Sequence, residues 1–156
     1  MKNIRLGKGL EKLKFGMTRE EVKSIFGEPD ETEVFVVHED DTDRSEAWHY
    51  DTIELSATFD EEDQWRLTSM AISSPEYLFE DVNLIGQSQE QVLQQVDLLN
   101  LGEVDIEQLS DESDENQLVA TIPDVNLNLW FENGILSEIQ WGPFWDDEKE
   151  EYVWPD

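Results

Sequence analysis

Thirty-nine of the 156 residues are Asp or Glu, two are His and none is Cys, so the chemistry open to this chain is that of carboxylates. Nucleophilic catalysis needs a Cys, or a Ser held beside a His. The histidines, His38 and His49, both fall in stretches that read as strands, without a nucleophile motif beside them, and are taken as surface or core side chains. Carboxylate pairs can act as general acid and base, but at this density pairs arise by chance and single out nothing. No enzyme and no cofactor is expected. Metal binding is the more serious alternative. Asp40-Asp41-Thr42-Asp43, Asp60-Glu61-Glu62-Asp63 and Asp111-Glu112-Ser113-Asp114-Glu115 are oxygen-rich, and Ca²⁺ takes about six to eight oxygen ligands. None of the three has the Asp-x-Asp-x-Asp-Gly spacing followed by a distant Glu. They read as solvated hairpin tips, no metal ligand is assigned, and an acidic-loop Ca²⁺-binding or structural protein stays as the alternative function.

The balance of charge narrows the partners. A formal charge of −29 and a pI near 4.1 exclude nucleic acid and anionic membrane surfaces as expected partners, because phosphate contacts need Lys and Arg. A basic protein is the expected partner, with plain solubility the competing account of the same charge. Seven of the ten basic residues (Lys2, Arg5, Lys8, Lys12, Lys14, Arg19, Lys23) lie in the first 23 positions. Without Cys there is no disulfide framework. The first residues lack the apolar run of a signal peptide, and no window approaches the roughly 18 apolar residues of a membrane span. A cytoplasmic location is expected.

The elements that would position these carboxylates come in two copies. Phe15-Gly16-Met17-Thr18, with Glu21 three residues on, returns as Ile85-Gly86-Gln87-Ser88, with Gln91 three residues on. Each is the signature of a capped helix start. The first helix turns Val22, Ile25 and Phe26 inward and stops at Gly27 and Pro29; the second turns Val92, Leu93 and Val96 inward and is closed by Gly102. Residues 1–13 read as a strand or loop broken by Gly7 and Gly9, and 76–83 as a connector between halves.

Strands follow each helix. Residues 32–37 and 47–50 read as a hairpin; Ile53, Leu55, Ala57 and Phe59 alternate with Glu54, Ser56 and Thr58; Leu67, Met70 and Ile72 mark the next strand. In the second half 104–106 and 118–122 flank an acidic tip at 111–116. Val125, Leu127, Leu129 and Phe131 alternate with Asn126, Asn128 and Trp130, and Asn133-Gly134 marks a tight hairpin. Ser137, Ile139 and Trp141 match Thr68, Met70 and Ile72. If the apolar set faces the helices, then Glu54, Ser56, Thr58, Asn126, Asn128, Trp130, Glu138 and Gln140 share the opposite, polar face. An aromatic ringed by amides and carboxylates has the composition of a protein-binding hot spot. Whether Trp145 or Trp154 of the unpatterned tail covers Trp130 stays open at this level.

With these positions in hand, Phe15-Gly16-Met17-Thr18-x-x-Glu21-Val22-x-x-Ile25-x-Gly27-x-Pro29 resembles the repeat of the β-lactamase-inhibitor-protein and small outer-membrane-assembly lipoprotein superfamily. The resemblance covers 13–30 well and 84–96 recognisably. It implies helices followed by antiparallel strands, and a binder or scaffold rather than an enzyme. The lipoproteins' acylated cysteine and the inhibitor's disulfides have no counterpart here, so neither a membrane address nor a secreted role carries over. The expected fold is α+β: two tandem repeats, 1–80 and 81–156, each a short helix or helix pair plus an antiparallel meander, helices on one face of the sheet. The expected function is an acidic inhibitor or immunity-type protein for a basic partner.

Overall fold

A computed structural model describes residues 2–36, 43–108 and 117–155. Val37, His38 and most of the first and third acidic runs, at 37–42 and 109–116, lie outside the described residues. In chain order the elements are β1 (Lys2–Arg5), β2 (Gly9–Leu10), β3 (Leu13–Lys14), α1 (Arg19–Phe26), β4 (Glu31–Phe35), β5 (Ser45–Tyr50), β6 (Leu55–Asp60), β7 (Arg66–Ile72) and β8 (Tyr77–Phe79). There follow α2 (Gln89–Leu99), β9 (Asp105–Gln108), β10 (Gln117–Ile122), β11 (Leu127–Glu132), β12 (Ile135–Trp141), β13 (Phe144–Asp146) and β14 (Glu151–Val153).

Local chemistry sets the helix ends. Thr18 Oγ1 accepts from the Glu21 N–H at 3.2 Å while Glu21 Oε1 accepts from the Thr18 N–H at 3.1 Å, which closes the capping box of α1. Ser88 Oγ accepts from the Gln91 N–H at 3.3 Å at the head of α2. Gly27, at φ +82°, ends α1. The second helix stops at Asn100, φ +53°, two residues before Gly102, because Asn also tolerates the left-handed region. Of the inward residues expected in α1, Val22 is sealed, but Ile25 remains 37 % exposed and Phe26 packs edge-on to Tyr50 at 5.6 Å.

Period-2 alternation becomes one eight-stranded antiparallel sheet, ordered β4-β5-β6-β7-β12-β11-β10-β9. The two meanders join where Met70, Ala71 and Ile72 of β7 pair with Trp141, Gln140 and Ile139 of β12. Matching departures from regularity occur on both sides of this seam. A bulge leaves Thr68 as the extra residue between β6 and β7, and another leaves Ser137 extra between β11 and β12. Gly16 N donates to Leu67 O at 2.9 Å, and Gly86 N to Leu136 O at 2.9 Å. The Asn133-Gly134 turn has φ +53° and +79°, the geometry a tight hairpin requires.

The structure corrects the expected α+β class with helices on one face of the sheet. The fold is mostly β, with fourteen strands and two helices of eight and eleven residues among the described residues. The helices supply three wholly buried side chains, Val22, Val92 and Val96, too few to close the apolar side of eight strands. A second, four-stranded sheet ordered β3-β2-β1-β8 brings Ile4, Leu10, Leu13, Tyr77 and Phe79 into the same core. Its strands lie within 2–14, of which 1–13 read as a strand or loop with helix-breaking glycines, and within 76–83, which read as a connector. Their pairing is long-range: Lys2, Asn3 and Ile4 run parallel to Tyr77, Leu78 and Phe79. Gly9, at φ +142°, sits where a Cβ would collide with the Leu13 carbonyl, so a glycine read as a breaker is what lets β2 turn against β3. The sheets are locked by Trp141, whose Nε1–H donates to Gly9 O at 3.1 Å. The tail, expected without regular pattern, is a two-stranded hairpin of β13 and β14.

Candidate functional site: the outer face of the eight-stranded sheet

Strand pleating assigns the candidate residues to faces. In β6 Leu55, Ala57 and Phe59 are buried and Ser56 and Thr58 half-buried; in β11 Leu127, Leu129 and Phe131 are buried and Asn128 and Trp130 half-buried. In β12 Leu136, Ile139 and Trp141 are buried and Glu138 and Gln140 half-buried. Cross-strand register links the half-buried set across four strands: Trp130 lies opposite Glu138, Asn128 opposite Gln140, Gln140 opposite Ala71, Ala71 opposite Ser56, and Ser69 opposite Thr58. Six of the eight candidates therefore share one strand face. The other two sit in turns. Glu54, φ +49°, is exposed just before β6, and Asn126, φ +50°, uses its Nδ2–H to donate to Pro143 O at 2.9 Å, tying it to the tail.

Extending the same parity outward finds what the sequence argument left out. Ser69 and Ala71 continue the face on β7. His49 and Ala47 continue it on β5 and Glu31, Glu33 and Phe35 on β4; at the other end come Val119 and Thr121, then Asp105 and Glu107. The signal was present as alternation in β5 and β10. His49 is thus a member of this face, its Nδ1 2.7 Å from Ser56 Oγ and its Nε2 3.8 Å from Glu33 Oε2.

The face is acidic at both edges and carries Asp60, Glu132 and Glu138 on the strands between them. No Lys occurs at these face positions among the described residues, and the single Arg, Arg66, stands at the start of β7 with its guanidinium 5.4 Å over the Trp154 ring. Burial pushes the Glu138 carboxyl above the usual carboxylate range, and among the described residues it has no hydrogen-bond or ion-pair partner. Beside it a hollow of about 340 Å³ is lined by Glu31, His49, Glu54, Ser56, Ser73 and Glu138. A second hollow of about 290 Å³ is lined by Thr58, Ser69, Asn126, Asn128, Gln140 and, from the tail, Tyr152.

Trp130 is neither sealed nor freely exposed. Its Nε1–H donates to Gln140 Oε1 at 3.3 Å, and Gln140 in turn donates to Ser69 Oγ at 3.2 Å, a polar chain that holds the indole in place on the sheet. The tail tryptophans go elsewhere: Trp154 lies against Gly16, and Trp145, 51 % exposed, packs on Tyr152 at 5.1 Å.

In the acidic run at 60–63, Asp60 and Glu61 are used internally. Asp60 accepts from Ser45 Oγ at 2.5 Å and from Thr68 Oγ1 at 2.7 Å, and Glu61 accepts from the Arg44 N–H at 3.0 Å. Among the described residues no three His, Asp or Glu side chains gather in a metal-holding group. Among them, too, no helix is long and apolar enough to cross a membrane. No protein-family model, curated protein or solved structure matches the chain.

Proposed function

We propose that this chain is a non-catalytic protein-binding module, an acidic inhibitor or immunity-type protein that docks the outer face of its large sheet onto a basic protein and masks that protein's working surface. One observation carries the reading: the face centres on a half-buried Trp130 beside Glu138, has carboxylates along both edge strands, and among the described residues gives Glu138 no partner and holds no Lys. A large aromatic anchor supplies contact area at low entropic cost, and a partly desolvated carboxylate gains most from a cation delivered by the partner. The charge of −29 speeds encounter with a basic surface and makes affinity fall with salt. The resemblance of residues 13–30 to a superfamily of binders supports the same reading, and a cytoplasmic site of action belongs to it.

The test is retention of a basic protein from the native host on the immobilised chain at low salt, with release at high salt. Trp130→Ala with Glu138→Lys removes retention, whereas Gln94→Lys on the exposed side of α2 keeps it. An empty column at both salt concentrations, or retention indifferent to the face variant, sinks the proposal.

A further inference from the structure

Strand β4 differs from every other long strand of the large sheet in leaving all of its residues exposed while carrying apolar ones. Among the described residues it is an edge strand, paired with β5 alone. Val34, Phe35 and the following Val36 are 54 %, 39 % and 46 % exposed. The opposite edge, β9, is shorter and exposes one large apolar residue, Ile106. An edge whose outer backbone N–H and C=O groups lack a strand partner is a template for an added strand. Side-chain alternation then decides what kind of strand fits.

Along β4 that alternation is chemically sorted. Glu31, Glu33 and Phe35 lie on the outer face, opposite His49, Ala47 and Ser45, while Thr32 and Val34 lie on the inner face, opposite Trp48 and Glu46. Glu46 is already engaged by Trp48 Nε1–H at 2.8 Å and by Arg19 at 3.3 Å, so the inner face offers an incoming strand mainly Thr32 and Val34. The outer face offers two carboxylates two residues apart, and the Glu33 side chain is 64 % exposed. Glu31 also lines the hollow that contains Glu138, which makes the edge continuous with the docking face.

We propose that β4 is an acceptor edge that binds an extended segment of the basic partner as a ninth strand, with Lys or Arg at alternate positions facing Glu31 and Glu33 and β-branched or apolar residues between them facing Thr32 and Val34. This deepens the proposed function and rests on its basic partner. A second copy of this chain fits less well: pairing centred on Glu33 sets Glu33 against itself, and any self-association brings together two chains of −29. The carboxylates that keep copies apart are the ones that favour a cationic strand.

The experiment uses the full chain, isotope-labelled, titrated with a capped ten-residue peptide of alternating Lys and Val. Amide shifts confined to residues 31–36 and 45–50 are expected. N-methylation of alternate amides along one edge of the peptide weakens binding by about tenfold or more, and methylation along the other edge leaves it unchanged. Glu31→Lys with Glu33→Lys reverses the preference toward an alternating Glu-Val peptide, while Glu31→Gln with Glu33→Gln, which keeps size and fold, weakens the Lys-Val peptide. Shifts centred on Trp130 or on β9, equal binding of both methylated peptides, or dimerisation through residues 31–36 in sedimentation would each overturn the proposal. Because the peptide assay does not depend on Trp130, an acceptor edge can fail while the sheet-face reading stands, and the reverse.

Discussion

Two tryptophans eleven residues apart on one hairpin occupy opposite worlds. Trp141 on β12 is 1 % exposed, stands edge-on to Phe15 at 6.4 Å and locks the small sheet to the large one through Gly9 O. Trp130 on β11 is half-buried on the outer face, and its indole N–H donates to Gln140, itself a face residue. The indole is the same, and the pleat decides which face of the sheet it joins. On the proposed function, stability and recognition are divided between the two faces of a single sheet, and they should separate on mutation.

The largest expected effect breaks the inner side. Trp141→Ala leaves a cavity and removes the bond to the Gly9 carbonyl and should cost about 3–5 kcal/mol in urea denaturation, whereas Trp130→Ala should cost about 1 kcal/mol or less. Comparable losses at the two sites would refute the division. For binding the order inverts, with Trp130→Ala weakening the basic partner and a conservative Trp141→Phe leaving affinity unchanged.

A smaller effect compares the two helix starts. Thr18→Ala removes a closed capping box and should cost about 1–2 kcal/mol, while Ser88→Ala removes one cap bond and should cost about 0.5–1 kcal/mol. Thermal melts read the difference.

The smallest effect is a dependence on pH. Because burial raises the Glu138 carboxyl in the folded state, the folded chain holds that proton more tightly than the unfolded chain does. Its stabilising contribution is fully present below the unfolded carboxylate range and is lost as pH rises through the folded value. Glu138→Gln should therefore raise the neutral-pH melting temperature by about 1–3 °C, with the gain vanishing in acid, while weakening the basic partner. A melting temperature lowered at neutral pH would mean that the carboxylate already has a cation within the chain.

Legibility followed distance along the chain. Thr18 and Glu21, Ser88 and Gln91, Asn133 and Gly134, and the alternations in β6 and β11 act over a few residues, and each could be read directly from its neighbours. The same parity identified six of the face residues, but Glu54 and Asn126 were misassigned because turns with positive φ interrupt the alternation just before their strands. His49 and the edge carboxylates were missed because the parity argument had not been carried to β4, β5, β9 and β10.

Residues close together along the chain fix the set of local elements and the acidity of whatever surface they present. Long-range packing is what merges the two meanders through three residue pairs between β7 and β12 and closes the core with the small sheet around Gly9 as well as the helices. The reason is physical. A capping box or a pleat is specified within one or two turns of chain, whereas the bond from Trp141 to Gly9 joins residues 132 positions apart, and it forms only after the intervening apolar surface has found its cover.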